Sequence, residues 1–409
     1  MDFQTKLNNY AELLVKVGVN VQKGQTVVLN ISIELPELAR AIVKKAYEAG
    51  AYQVKVNWTD DAVSRIQYDM ASEESFLEVP KHAAAERVEQ AENGAAFITI
   101  KSDDPDLLAG VSSQKIINAN KTLSTALTRF RQLTQSFKVS WSLGAAPSKG
   151  WAAKVFPDLP EDQQIEKLWD VIFQMVRADQ PDPVGAWEKH VATLKEKSNY
   201  LNQKQYKKLR YVAPGTDLTM ELPENHIWLG GNKENEKGVW FVPNLPTEEV
   251  YSAPLRTGVN GKVSSTKPLS YSGNIIDNFT FTFENGRVVD VTAEKGEETL
   301  KGLVNMDEGA HYLGEVALVP HHSPISDSGV LFYKTLFDEN ASCHLAIGSA
   351  YSACIEGGTE MTPEQLNEHG LNTSTVHTDF MIGSAELDIY GVTADGTEEP
   401  VFKKGNWAF

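Results

Sequence analysis

Several acidic and imidazole side chains occur close together in the C-terminal part of this 409-residue chain. In the segment from 375 to 380, alternate residues of a strand point to the same face, so the His377 imidazole and the Asp379 carboxylate would converge. Imidazole nitrogen and carboxylate oxygen are donors that suit zinc, cobalt and manganese. The region therefore predicts a divalent-metal site, and hydrolysis is the leading hypothesis for its chemistry. The candidate ligands are Glu315, Glu339, His344, His377 and Asp379.

Glu315 is the one charged residue in the apolar run from 314 to 319. Burying an unpaired carboxylate costs on the order of several kcal/mol, so this side chain needs a cationic partner. A metal ion would satisfy it, and so would a lysine or an arginine. The sequence favours the metal ion and leaves the basic side chain as the alternative.

Two further acids, Glu248 and Glu249, lie between Pro246 and Pro254. Proline fixes its own φ angle and restricts the residue before it, so the backbone is restrained and the carboxylates can be aimed. For Glu248 we favour a solvated acidic turn. For Glu249, a turn and a ligand are equally consistent with the sequence.

The segment from 337 to 351 contains three residues with competing interpretations. A lone histidine is more often satisfied in a core than bound to metal, but the other candidates in this region favour a ligand role for His344. Cys343 would point to the opposite face of a regular strand, so we expect it to pack rather than to bind metal. Taken alone, Tyr351 predicts only a packed aromatic ring with a bonded hydroxyl.

Other patterns of residues compete with this site or are missing from the chain. The adjacent pair His321 and His322 would diverge on a strand, and the flanking Pro320 and Pro324 predict a loop, so we rank this pair lower. The sequence contains no G-x-S-x-G, H-E-x-x-H or C-x-x-C pattern, which argues against a serine hydrolase, a zincin and a zinc ribbon. No glycine-rich phosphate loop follows a predicted strand, so we do not expect nucleotide binding.

The composition limits the partners and the location of the protein. A net charge of −17 disfavours nucleic acid and anionic membranes, because both require a cationic surface on the protein. Two cysteines are too few for a disulfide framework and are consistent with a reducing cytosol. The first residues show no basic leader before an apolar run, and no segment approaches the roughly 20 apolar residues of a membrane span. We therefore expect a cytoplasmic protein.

The first half of the chain alternates helical and extended patterns. One helix is predicted from Phe3 to Val17 behind an Asp2 cap, and another begins at Pro36 and ends at Gly50. Such an alternation predicts a mainly parallel sheet covered by helices. The remaining predicted elements are helices near 81–93 and 112–135 and strands at 26–31, 54–58, 97–100 and 139–141.

The pattern changes after a polar helical region at residues 160–205. Phenylalanines alternate between 279 and 283, and Asn285-Gly286 is a type I′ hairpin signal. A second hairpin is predicted at Asp395-Gly396. Because a domain typically has roughly 100 to 200 residues, we expect two of them. The prediction is an α/β N-terminal domain with a mainly parallel sheet at 1–208 and a strand-rich α+β C-terminal metal domain at 209–409.

Four segments carry a family resemblance: 244–254, 314–315, 339–351 and 377–379. Together they resemble the aminopeptidase T and aminopeptidase S family of two-metal exopeptidases, and the similarity extends over nearly the whole chain. The resemblance implies a cytosolic metallo-aminopeptidase that acts on short peptides and forms a homodimer enclosing its active sites. It also implies that Tyr351 acts in catalysis and that six residues bind metal. The six are Glu249, Glu315, Glu339, His344, His377 and Asp379.

These observations lead to a mechanistic hypothesis. Two divalent ions per chain (zinc, cobalt, manganese or magnesium) would lie about 3.5 to 4 Å apart, share a water and direct it at the peptide carbonyl. We expect Glu315 to bridge the ions and Glu249 or Glu339 to take the water proton. Tyr351 would donate a hydrogen bond to the oxyanion. Two alternatives remain open, a two-metal phosphoesterase and a non-enzymatic metal-dependent binding protein.

Overall fold

The computed structural model describes residues 1–271 and 274–409, and these form two compact units. The first unit comprises Met1–Lys189 and Asn232–Pro246, and the second comprises His190–Gly231 and Thr247–Phe409. The chain therefore contributes a second segment to the first unit after it has begun the second. The domain boundary predicted at residue 208 falls inside the second unit. That residues 1–208 and 209–409 are two separate domains stays a prediction.

Helices α1 to α13 are numbered in chain order through the described residues. The Asp2 side chain caps α1 by accepting a hydrogen bond from the Thr5 N–H at 2.7 Å, as the sequence predicts. None of the described helices is both long enough and apolar enough to cross a bilayer. The helices are Phe3–Leu13, Pro36–Glu48, Asp61–Met70, Lys81–Glu92, Ser113–Ala126, Thr128–Gln135, Lys149–Val155, Glu161–Met175, Pro183–Lys204, Glu297–Val304, Pro324–Asp327, Thr335–Asp338 and Pro363–Glu368.

Strands β1 to β20 are numbered in the same way. They are Thr26–Ser32, Gln53–Thr59, Ala96–Lys101, Trp141–Ala145, Lys208–Ala213, Thr216–Glu221, Leu229–Gly230, Lys233–Glu234, Trp240–Phe241, Val250–Ser252, Val259–Ser264, Leu269–Tyr271, Asn274–Glu284, Arg287–Lys295, Leu313–Leu318, His344–Gly348, His377–Met381, Asp388–Val392, Glu398–Lys403 and Asn406–Trp407. Four of these strands belong to the parallel sheet of the first unit, and two larger antiparallel sheets lie in the second.

The first unit contains a four-stranded parallel sheet in the order β2-β1-β3-β4. This confirms the predicted α/β sheet. The fourth strand begins at Trp141 rather than at the predicted Val139, because residues 137 and 138 still form the turn that ends α6. Phe137 has a left-handed φ of 54°, and the Lys138 N–H donates to the Leu133 carbonyl at 2.9 Å. The helix α3 was not predicted, although Asp60 caps it through the N–H groups of its first turn.

The second unit contains two antiparallel sheets, which confirms its predicted strand-rich character. One has the order β17-β16-β15-β10-β7, and the other has the order β12-β13-β11-β6-β5-β18-β19-β20 with β14 paired to β13. Side chains of both sheets form one hydrophobic core, in which the rings of Phe281 and Phe380 lie 5.1 Å apart.

The five-stranded sheet presents two chemically different faces. Val316, Leu345 and Phe380 belong to the shared core, so their neighbours at odd spacing must point the other way. Those neighbours include Glu315 and Asp379. Packing of the apolar side chains into the core therefore determines that the acids lie on the opposite face of the sheet.

Both predicted hairpins are confirmed, and one depends strictly on glycine. Asn285 and Gly286 join β13 to β14 with positive φ angles of 48° and 82°, as a type I′ turn requires. A Cβ added at Gly286 would overlap the Arg256 carbonyl oxygen. At Gly396, between β18 and β19, φ is also positive at 86° but a Cβ would meet nothing within 4 Å.

These two glycines provide a matched stability test. Gly396→Ala should lower the free energy of unfolding by about 1–2 kcal/mol, the cost of left-handed backbone for a residue with a Cβ. Gly286→Ala should lower it by at least twice as much, because the turn must also move away from the Arg256 carbonyl. Urea unfolding followed by circular dichroism measures both. Equal losses in the two variants would contradict the packing described at Gly286.

Candidate metal centre

The register of the five-stranded sheet brings two carboxylates to one point. Ala346 in β16 pairs with Glu315 in β15 on one side and with Asp379 in β17 on the other. Directly opposed residues in an antiparallel sheet share a face, so both acids flank the small Ala346 methyl group. A larger side chain at this position would fill the space between the two carboxylates.

The two histidines lie on the same face. The Nε2 atom of His344, in β16, is 3.3 Å from Glu249 Oε2 and 3.8 Å from Glu315 Oε1. The Nε2 atom of His377, in β17, is 3.2 Å from Glu315 Oε2 and 3.4 Å from Asp379 Oδ1. The structure therefore brings together five residues that the sequence places up to 130 positions apart.

These donors form two groups that share one residue. The first group is Glu249, Glu315 and His344, and the second is Glu315, His377 and Asp379. Within each group the candidate ligand atoms lie within 4.8 Å of one another. Glu315 therefore faces both sets of donors, which is the arrangement expected of a carboxylate placed between two cations.

Backbone carbonyls fix the orientation of both imidazoles. The Nδ1 atom of His344 lies 3.0 Å from the Ser342 carbonyl oxygen, and that of His377 lies 2.7 Å from the Ser349 carbonyl oxygen. A carbonyl only accepts, so Nδ1 carries the proton in each ring and Nε2 of the neutral ring presents a lone pair. Both lone pairs then point at carboxylate oxygens, and these contacts repel unless a positive charge lies between them.

The electrostatics of the site agree with this geometry. Burial alone would lower the pKa of His344, but the carboxylates of Glu249, Asp379 and Glu315 raise it to about 10. Burial raises the pKa of Glu315, and its Oε2 atom is buried without a hydrogen bond. The negative charge of these carboxylates can be balanced in two ways. Either the imidazoles carry additional protons, or a divalent cation binds while the imidazoles are neutral. The nitrogen and oxygen donors fit such a cation.

Glu339 lies beside these two groups without being part of either. It begins a single turn of 3₁₀ helix, Glu339–Ala341. Burial raises the pKa of Glu339 well above its ordinary value, and the charges of Asp379 and Glu249 raise it further. A carboxylate so strongly affected by its acidic neighbours belongs to the same acidic centre.

Asn340 links Glu339 to the segment that carries Glu249, a role that no pattern in the sequence indicates. Its fully buried side chain accepts a hydrogen bond from the Glu248 N–H at 2.7 Å. Its amide donates to the Leu336 carbonyl at 3.0 Å and to Glu339 Oε1 at 3.4 Å. One amide therefore holds two candidate ligand segments in register, a contact that only the folded chain reveals.

Tyr351 lies next to the second group of donors. Its ring centroid is 5.1 Å from that of His377 and 5.7 Å from that of Tyr251. Burial raises the pKa of the Tyr351 hydroxyl; His377 opposes the shift, and the nearby Glu315 carboxylate adds to it. The hydroxyl therefore keeps its proton at neutral pH and is available as a hydrogen-bond donor.

The structure bears on three predictions made from the sequence, for Glu248, Cys343 and His322. The solvated turn favoured for Glu248 is wrong, because this residue is only 4% exposed and its Oε2 lies 3.4 Å from His190 Nε2. The prediction that Cys343 packs is confirmed, since its Sγ accepts from the Val319 N–H at 3.3 Å inside the core. His322 is exposed and contacts Asp327, and among the described residues it belongs to neither group of candidate metal donors.

Comparison with known proteins places this geometry in a family. The family model described as thermophilic metalloprotease (M29) matches residues 3–407. The chain is 56% identical to aminopeptidase AmpS of Bacillus subtilis over 407 residues, which is 100% of this chain and 99% of that protein. It is 51% identical to aminopeptidase 2 of Geobacillus stearothermophilus over 100% of this chain and 98% of that protein.

A solved structure gives the same result for the fold. Wild-type AmpT from Thermus thermophilus superposes with a TM-score of 0.94 at 39% identity, covering 100% of both chains. Neither a phosphoesterase nor a non-enzymatic binding protein is supported by any of these matches. The chain belongs to the M29 family of metalloproteases.

Proposed function

We propose that the protein is a two-metal aminopeptidase that releases the first residue from short peptides. The observation that carries this proposal is the shared position of Glu315 between two groups of nitrogen and oxygen donors. The relatives named above are aminopeptidases, and their family is one of metalloproteases. Six residues would hold the ions: Glu249, Glu315, Glu339, His344, His377 and Asp379.

The donor set also bears on the identity of the ions. Each group contains one imidazole nitrogen, which suits zinc, cobalt or manganese better than magnesium, a cation that prefers oxygen ligands. Divalent ions bound at such a site lower the pKa of water and polarise a carbonyl oxygen. The protein side chains must then move a proton and stabilise the charge that develops on the substrate.

We assign proton transfer to Glu249. Of the three carboxylates in the two groups, Glu315 is the most enclosed, with a side chain 5% exposed compared with 12% for Glu249. Although burial raises the pKa of Asp379, His377 lowers it below its ordinary value, which makes Asp379 the weaker proton acceptor. Glu249 is the remaining carboxylate of the three, and its partly exposed side chain can reach a water molecule.

Tyr351 supplies the hydrogen bond to the developing oxyanion. Its hydroxyl stays protonated for the reasons given above, and its ring lies beside His377. A donor that is already in place gains strength as negative charge appears on the carbonyl oxygen, so it favours the transition state over the ground state.

The acidity of the site accounts for cleavage at the N-terminus. Four carboxylates lie on or beside the same face of the sheet, and they attract the positively charged amine that only the first residue of a peptide carries. An internal peptide bond offers no such group. The substrate class that follows is peptides with an unmodified N-terminal amine.

We also propose that the protein is a cytosolic homodimer. The support for a dimer is helix α3, where Val63, Ile66 and Met70 form an exposed apolar stripe and no residue is buried. A surface helix normally buries such a stripe, so a second copy is the partner we infer. The support for the cytosol is that Cys343 and Cys354 are buried thiols.

Removing the shared carboxylate should weaken metal binding at both positions. Glu315→Gln should reduce the bound divalent metal by at least half after dialysis and should lower the release of leucine from leucyl peptides by a factor of about 100 or more. Chelation of the wild-type protein should stop release, and added metal should restore it. Metal content is measured by mass spectrometry, with the exposed Glu298→Gln as control. Activity that survives exhaustive chelation would exclude this mechanism.

Loss of the Tyr351 hydroxyl should slow the reaction without changing the metal content. We expect Tyr351→Phe to lower kcat by a factor of about 100 to 1000, the usual effect of removing one oxyanion donor, with little change in KM. Tyr390→Phe is the matched control, because its hydroxyl contacts Asp388 and Lys403 in the other sheet. An unchanged kcat for Tyr351→Phe would remove this residue from the mechanism.

A further inference from the structure

The carbonyl that orients His377 lies in the short segment that follows strand β16. Ser349, whose carbonyl oxygen is 2.7 Å from His377 Nδ1, comes directly after Gly348, the last residue of that strand. Tyr351 follows two residues later. The segment therefore positions both a candidate metal ligand and the proposed oxyanion donor, and the contacts that hold it also determine the direction of the imidazole.

The buried side chain of Asn372 connects this segment to the rest of the second unit. Its Nδ2 atom donates hydrogen bonds to the carbonyl oxygens of Gly348 at 2.6 Å and Gly309 at 2.7 Å, with a longer contact of 3.5 Å to that of Tyr312. All three acceptors are carbonyls, so only the NH₂ end of the amide can face them. Because Asn372 is 1% exposed, bulk water has little access to these hydrogen bonds.

Two successive peptide groups of the segment are held from both sides. In the first, the Gly348 carbonyl accepts from Asn372 Nδ2, while the Ser349 N–H donates to the Val376 carbonyl at 2.7 Å. In the second, the Ala350 N–H donates to the Asn372 carbonyl at 2.8 Å. A trans peptide group is planar, with its N–H and C=O pointing in opposite directions, so this last hydrogen bond turns the Ser349 carbonyl away from Asn372 and towards His377.

The same two carbonyls lie against Gly314, the residue that precedes Glu315 in β15. A Cβ added at Gly314 would overlap the carbonyl oxygens of both Gly348 and Ser349. The segment therefore packs on β15 as closely as a backbone can. A small rotation of the Gly348 peptide group changes these contacts and the position of the Ser349 carbonyl together.

The other imidazole is oriented by different contacts. The Ser342 carbonyl oxygen lies 3.0 Å from His344 Nδ1, and the Ser342 hydroxyl oxygen accepts from the Gly383 N–H at 2.8 Å. Among the described residues, none of the hydrogen bonds of Asn372 reaches Ser342 or His344. The two imidazoles are therefore held by separate sets of hydrogen bonds.

We propose that Asn372 is a positioning residue for the metal ion bound by His377 and has little effect on the ion bound by His344. This inference rests on the proposed function. Asn372 acts through the Ser349 carbonyl, which keeps His377 Nε2 directed at the carboxylates of Glu315 and Asp379. Loss of the group that orients a histidine ligand typically weakens metal binding by about 10- to 100-fold.

Zinc affinity at the two positions tests this assignment. Each protein is titrated with zinc in competition with a chromogenic chelator. In the otherwise wild-type chain, Asn372→Ala should weaken one of two binding steps by about 10- to 100-fold and leave the other within about threefold. The affected position is identified in two backgrounds. The weakening should persist in His344→Ala and disappear in His377→Ala, because the imidazole through which Asn372 acts is then missing.

The matched control is Asn305→Ala, an exposed amide that donates to the Lys301 carbonyl at 2.7 Å, and it should change neither binding step. Thermal unfolding is measured on every variant. If Asn372→Ala does not fold, Asn372→Ser, which keeps one donor, takes its place with the same selectivity expected.

Equal weakening of both binding steps would overturn the proposal, since Asn372 would then support the whole site rather than one ligand. Unchanged affinity in the His344→Ala background would overturn it as well. A wild-type protein that binds no zinc would instead contradict the proposed function.

Discussion

Two backbone carbonyls determine what this site can do. The carbonyls of Ser342 and Ser349 engage the Nδ1 atoms of His344 and His377, so the Nε2 atoms of both rings point into a group of buried carboxylates. Buried carboxylates of this kind are costly unless positive charge compensates them, either from protonated imidazoles or from a metal ion. A metal ion would relieve this cost, and the proposed chemistry follows from that requirement.

The core of the second unit enforces the same arrangement from the other side of the sheet. Side chains alternate between faces, so the residues that pack into the core fix the register of their neighbours at the acidic centre. A slip of one residue in β15 would bring Glu315 into the core and expose Val316 to the site. The apolar packing and the ligand geometry are therefore one constraint, and the register cannot change at one face alone.

Much of this could be predicted from the sequence, because the signals are local. Alternation within a strand places His377 and Asp379 on one face, an isolated acid in an apolar run marks Glu315, and Asn285-Gly286 marks a hairpin. The burial of Glu248 could not be predicted in this way. Its neighbours His190 and Asn340 are far away in the sequence, and nothing near Glu248 indicates them.

Other features that the sequence does not reveal also depend on contacts between distant residues. The return of Asn232–Pro246 to the first unit is one of them. The link that Asn340 makes between two ligand segments likewise exists only after folding. Long-range contacts of this kind leave no periodic pattern in the sequence, so the structure is needed to identify them.

The most direct test of the account is anomalous X-ray diffraction from crystals of the protein grown with zinc or manganese. We predict two anomalous peaks in each chain, both within bonding distance of the Glu315 carboxylate. One peak should be bound by His344 Nε2 and the other by His377 Nε2. A single peak, or peaks bound through Nδ1 or away from Glu315, would contradict the central claim that one carboxylate joins two cation sites.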